Sequence, residues 1–176
     1  MALPDKVQIT QGTAIIWGEA GASGVTHTLS LDALANGAAR MGASADLGAN
    51  YDDEYLVYLI AETGTAPTAG TTIDLYLVCS YDGATWPAKV TGSDAAYTLG
   101  TSNANLRQAG SPVSILVATN DTNTVLIQAP VIWRPRGRYV VPIVFNQLDQ
   151  AIRDETTATN NDSRVILIPR RAVVND

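Results

Sequence analysis

"LYLVCSYDGATWPAKV", residues 75–90, is the stretch on which the fold of this chain turns. In its first half Leu75, Leu77 and Cys79 fall on one side of an extended chain and Tyr76, Val78 and Ser80 on the other, the two-residue period of a strand. Asp82-Gly83 comes next. Asp tolerates left-handed backbone and bonds its own turn, and Gly accepts positive φ without a Cβ penalty. Between β-rich runs the pair is among the strongest short-range hairpin signals. The stretch therefore predicts a hairpin. Ser80 would satisfy a turn amide, and Trp86 on the return strand would cover the apolar face before Pro87 ends the ladder.

Working outward, strand patterns dominate. "TAIIW" (13–17) is β-branched and aromatic, and "VTHTLSL" (25–31) sets Val25, His27, Leu29 and Leu31 against Thr26, Thr28 and Ser30. "EYLVYLI" (54–60) is apolar on both faces, which predicts a strand inside a sheet covered on both sides. "PVSILVA" (112–118), "TVLIQAPVIW" (124–133), "RYVVPIVFN" (138–146) and "RVILIP" (164–169) complete the set. Pro142 cannot donate to a ladder, so its strand is expected at an edge or a bulge. The helix-like piece is "SLDALANGAARMG" (30–42): Ser30 or Asp32 would cap it and Leu31, Leu34 and Ala38 share a face, but Gly37 interrupts it. At most one short helix is expected near residues 31–41. "NANLRQAGS" (103–111) and "TATNNDS" (157–163) read as exposed loops.

About eight strands with almost no helix predict an all-β chain, a two-sheet antiparallel sandwich, with a jelly roll preferred over an immunoglobulin-like arrangement. A single sandwich domain is expected over residues 25–176. Residues 1–24 would be either an arm that pairs with a neighbour's sheet edge or the first strand.

A chain of 176 residues suits one domain with a sizeable core. With 46% hydrophobic and 16% charged residues the composition is that of a folded domain. The net charge of −6 hides an asymmetry: residues 1–100 hold 11 acidic and 3 basic residues, residues 101–176 hold 6 and 8. That is too little positive charge for a generic nucleic-acid partner. Nine of the 11 basic residues are arginine, which suits planar pairing with carboxylates at protein interfaces. The apolar runs fall far short of the roughly 20 residues that span a bilayer, so no membrane partner is expected. "MALPDKVQIT" shows no secretory leader. Cys79 is the only cysteine, which excludes an internal disulfide and a multi-cysteine zinc site and reads as a small buried hydrophobe.

Catalytic patterns are hard to find. His27, the only histidine, lies in register with Val25 and Leu29 and reads as a packed imidazole. No segment supplies the nucleophile, base and orienting group of a triad. "YDDEY" (51–55) gathers Asp52, Asp53 and Glu54, but without the spaced loop of a calcium site it reads as the solvated start of a strand. "GEAGASG" (18–24) lacks the lysine and helix of a phosphate loop. "SYDGATW" is similar to the Asp box of sialidase-like propellers, S-x-D-x-G-x-T-W, but lacks the residue between Asp and Gly and occurs once. The chain is expected to be no enzyme and to need no cofactor or metal.

Longer phrases carry a resemblance. "SLDALANGAARMGASADLG" (30–48), "EYLVYLIAETGTAPTAGTTIDLYLVCSYDG" (54–83), "GSDAAYT" (92–98) and "RGRYVVPIVFNQLDQAI" (136–152) together resemble a family of small tailed-bacteriophage virion proteins, the capsid decoration or cement proteins. The resemblance implies a β-sandwich on the outer face of the virion's capsid, made in the host cytoplasm. It also implies a homo-oligomer, often a trimer, that clamps neighbouring copies of the major capsid protein. Such a protein needs a rigid frame, aromatic anchors and a charged rim. The candidate contact surface is "WRPRGRY" (133–139), with Trp133, Arg134, Arg136, Arg138 and Tyr139 at an expected sheet corner. The same arginines have an internal alternative, pairing with the acidic N-terminal half. Two other functions fit the same composition: a carbohydrate- or receptor-binding module of a phage tail or fibre, with exposed, coplanar aromatics drawn from Trp17, Trp86, Trp133 and the seven tyrosines, and a head–tail connector.

Overall fold

A computed structural model describes residues 7–119, 125–153 and 163–174; of the expected loop at 157–163, residues 157–162 lie outside them. One sheet contains β1 (Val7–Gln11), β2 (Ile15–Gly18), β3 (His27–Thr28), β6 (Glu54–Glu62), β10 (Val125–Ile127), β11 (Val131–Trp133) and β13 (Arg164–Val174). The other contains β4 (Ala39–Met41), β5 (Ala45–Asp46), β7 (Thr72–Ser80), β8 (Ala95–Tyr97), β9 (Ser114–Val117) and β12 (Tyr139–Gln147). The first sheet runs β10/β11, β6, β13, β1/β2, β3, and the second β8, β4/β5, β12, β7, β9. Every pairing between these strands is antiparallel except β2 with β3.

If β1/β2, β4/β5 and β10/β11 each count as one broken strand and the short edge strands β3 and β8 are set aside, eight principal strands remain. The first, eighth, third and sixth lie side by side in one sheet and the second, seventh, fourth and fifth in the other. That order is the doubled Greek key of a jelly roll. Residues 7–18 belong to it, since β1 and β2 both pair with this chain's own β13.

The core between the sheets arises from the period of two. Tyr55, Val57, Leu59 and Ala61 of β6 face Ile73, Leu75 and Leu77 of β7, with Val165 and Leu167 of β13 beside them, in one buried cluster. A second cluster covers the outer face of the second sheet. Tyr76, Val78, Val141, Ile143 and Phe145 meet Val90, Tyr97 and Leu106, which residues 81–113 fold back over them. β12 is therefore buried on both faces.

The first sheet is not built that way. On β6 the inner face is fully buried, whereas Leu56, Tyr58 and Ile60 on the outer face are only partly buried. This corrects the reading of "EYLVYLI" as covered on both sides: β6 lies inside its sheet, but its outer side is less completely buried than its inner one. Register lines that side up in rows, Ile132–Leu56–Ile168, Tyr58–Ile166–Ile16 and Ile127–Ile60. Ile132 and Ile127 are 56% and 64% exposed.

Residues 31–41, where at most one short helix is expected, contain none. Ala33 and Gly37 take positive φ, and the Leu34 carbonyl accepts from the Asn146 side chain and the Ile152 amide instead of a helical amide. The short helix α1 is Ala104–Gln108, inside the expected loop at 103–111, where Leu106 anchors it to the second cluster. Pro142 lies in central β12, not at an edge. Its missing donor falls at the one-residue bulge between β4 and β5, where its carbonyl accepts from Gly42 at 2.9 Å.

The Asp82-Gly83 corner is also not a two-strand hairpin, because residues 86–94 form no return strand. Pro87 and the positive φ of Ala88 and Lys89 break the ladder. The turn is held by its own side chains. Asp82 Oδ1 accepts from the Ala84 and Thr85 amides at 3.0 and 2.8 Å, and Ser80 Oγ accepts from the Gly83 amide at 3.1 Å. Trp86 Nε1 donates to the Gly83 carbonyl at 3.1 Å, and its ring packs half-buried on the second cluster.

Candidate functional site

The segment from Trp133 to Tyr139 links β11 of the first sheet to β12 of the second, so it turns the corner between the two layers. Trp133 opposes Tyr55 in register, with ring centres 6.0 Å apart, and packs half-buried against the core. Pre-proline sterics keep Arg134 extended toward solvent, and its side chain is 76% exposed. Its Nε and Nη2 donate to Glu54 Oε1 at 3.2 and 2.7 Å. Gly137 is buried against the Ser80 carbonyl, so closely that a Cβ there would lie 2.7 Å from that oxygen. Arg138 reaches back to β5, and its Nε and Nη2 donate to the two oxygens of Asp46 at 2.7 and 2.6 Å. Its guanidinium carbon is 5.2 Å from the Tyr139 ring centre.

Two of the three arginines thus take the internal alternative and pair with carboxylates of the acidic half. Arg136 is exposed and, among the described residues, has no ion pair. These partnerships set the electrostatics. The hydrogen bond from Arg138, helped by the Gly48 amide, lowers Asp46 to about 2, and Arg134 holds Glu54 below the usual carboxylate range.

The corner forms a ridge between two hollows that share Glu54, Arg134 and Pro135. One, about 1040 Å³, is bordered by Asp52, Asp53, Arg170 and Arg171. In it Arg171 Nε donates to Asp52 at 2.7 Å and Arg170 approaches Glu54 at 3.6 Å. The other, about 1180 Å³, is more apolar, bordered by Leu77, Cys79, Val113, Ile132, Trp133 and Arg136. Burial raises the Cys79 thiol, opposed by hydrogen bonds from the Arg136 and Gly137 backbone. A ridge of aromatic and arginine side chains beside a hollow of mixed polar and apolar lining offers anchors and a recess for a protein partner.

Sequence reasoning singled out the corner and the "YDDEY" run but missed Asp46, Arg170 and Arg171, which complete the charge pattern. Their signal is long-range register, since Arg170 meets Glu54 only because β13 pairs antiparallel with β6. The other candidate residues do not join the corner. His27 stacks tilted on Trp17 with centroids 5.6 Å apart, and Trp17 is fully buried with Nε1 donating to the Ala43 carbonyl at 2.7 Å. Trp17 in the core and Trp86 and Trp133 half-buried on separate clusters form no open aromatic platform. Among the described residues no three His, Cys, Asp or Glu side chains are grouped to hold a metal ion. No family model, no curated protein and no solved structure matches the chain.

Proposed function

We propose that this protein is a structural component of a bacteriophage virion that decorates the capsid and clamps neighbouring copies of the major capsid protein, acting by adhesion and not by catalysis. The observation that carries the reading is the strand order. A jelly roll is an architecture of viral shell proteins, although lectins and cupins share it. Here it coincides with the resemblance of residues 30–48, 54–83, 92–98 and 136–152 to decoration proteins. The Trp133–Tyr139 corner supports the reading physically. Gly137, wedged on the Ser80 carbonyl, keeps the turn rigid, and Arg136 is left to meet a carboxylate of another protein.

The energetics suit a shell. Each copy adds a modest interface, and a lattice of fixed sites presents neighbouring subunits at high effective concentration. Binding the assembled shell but not free subunits then stabilises the shell by mass action.

Co-sedimentation of the purified protein with undecorated heads of its phage tests the reading. Saturable binding, weakened at least tenfold by Arg136→Ala, is the expected result. No binding at saturating protein would overturn it.

A further inference from the structure

We propose that the hollow beside Arg136 takes an extended, acidic segment of a partner protein, which adds as a strand to the open edge of β7. The inference rests on the reading of the Trp133–Tyr139 corner as a protein-contacting surface and adds how the partner is held.

The edge is open because β9 is shorter than the strand it joins. β12 pairs with β7 along its whole length, from Thr72 to Ser80, whereas β9 pairs only with Thr72 to Leu75. The last tie on that side is the Val113 amide, which donates to the Leu75 carbonyl at 2.7 Å. Ala109, Gly110 and Ser111 border the hollow instead of continuing the ladder.

The strand period then fixes where the unpaired groups point. The Thr71 and Leu75 carbonyls accept from the β9 side, so Leu77 and Cys79, in step with them, also turn their N–H and C=O away from β12. Among the described residues no main-chain partner meets them there. Leu77, Val78 and Cys79 include no lysine or proline to blunt the edge, which leaves a template for another strand. Main-chain donors and acceptors in a row match another main chain, so the ligand is an extended polypeptide.

The hollow also selects its side chains. Leu77, Val113, Ile132 and Trp133 border it and suit apolar residues at alternate positions of the incoming strand. Its charged residues are Glu54, Arg134 and Arg136. Glu54 and Arg134 pair with each other, while Arg136 has no ion pair among the described residues. The hollow is thus cationic in a chain of net charge −6. Arg136 stands at the end of the open edge, since its backbone and that of Gly137 hydrogen-bond to Cys79. A carboxylate there meets the guanidinium in a planar, two-bond fork, and a lysine is repelled.

The probe is the peptide acetyl-Val-Asp-Val-Asp-Val-amide, titrated into the whole protein and followed by NMR. Hydrogen exchange at the Leu77 and Cys79 amides should slow at least tenfold in the complex. Arg136→Glu, at an exposed side chain, should weaken binding at least tenfold, and the Val-Lys-Val-Lys-Val counterpart should bind that variant better than the wild type. Complete N-methylation of the peptide should weaken binding at least tenfold. No binding at millimolar peptide, indifference to N-methylation, or protection of the β9 amides in place of Leu77 and Cys79 would each overturn the inference. Hydrogen exchange on decorated heads separates it from the capsid reading. Head binding without protection of Leu77 and Cys79 sinks the strand addition alone, and peptide binding without head binding sinks the capsid reading alone.

Discussion

Arg138 and Asp46, 92 residues apart, close a two-bond bridge in which Nε and Nη2 each donate to one carboxylate oxygen. The bridge ties the start of β12 to the end of β5 and thereby fixes how the Trp133–Tyr139 corner leaves the second sheet.

Acid should loosen that tie. Asp46 titrates at about 2 in the folded chain, lowered chiefly by Arg138, against an ordinary value of 3.8. A carboxyl with a depressed folded pKa contributes stability that is complete above its unfolded value and disappears as pH falls through the folded one. Thermal melts of the wild type and Asp46→Asn should therefore differ most above about pH 4 and converge toward about pH 2, the interval between the two values. Parallel curves across that interval would refute the bridge.

His27 gives a second window of opposite chemistry. Burial against Trp17 lowers its pKa below 6.5, so the unfolded chain binds a proton that the folded chain refuses. Stability is then complete above the unfolded value, falls as pH drops below 6.5, and levels off under the folded pKa. The melting temperature should decline as pH falls through 6.5 toward the lowered folded value, and His27→Gln should flatten that decline. Trp17 fluorescence, quenched by a protonated neighbour, should report the same titration.

The Asp82 turn is predicted to be held by side chains. Asp82→Ala removes the acceptor of the Ala84 and Thr85 amides and should lower the melting temperature by a few degrees. Asp82→Asn keeps one acceptor oxygen and should recover part of the loss. Equal effects of the two would show that charge, not the amide contacts, holds the turn.

Gly137 is a steric requirement of the corner. A Cβ there would lie 2.7 Å from the Ser80 carbonyl oxygen and 3.0 Å from its carbon, both backbone atoms of β7 that cannot swing away. Gly137→Ala should cost about 1–3 kcal/mol in denaturant unfolding, the usual scale of overpacking. It should also weaken head binding by displacing Arg136.

Much of the frame was legible from residue order. The alternation in "LYLVCSYDG" and its neighbours specifies extended chain, because a period of two places one apolar side chain in every pair on a common face. Asp82-Gly83 was legible as a turn, but the path of the chain beyond Thr85 was not, since local residues cannot say whether a partner strand waits at residue 86. The helical spacing within residues 31–41 did not become a helix for the same reason. Leu31, Leu34 and Ala38 have helical spacing, yet Asn146, more than a hundred residues away, takes the Leu34 carbonyl.

The sequence alone determined an all-β sandwich, a chain poor in positive charge, and a corner dense in arginine and aromatics. Short-range spacing and composition encode these. Tertiary structure alone decided which carboxylates those arginines meet, which face of "EYLVYLI" is less buried, and where the proline of β12 is tolerated. Each of these depends on register between strands far apart in sequence, and a shift of one residue would reverse every side chain involved.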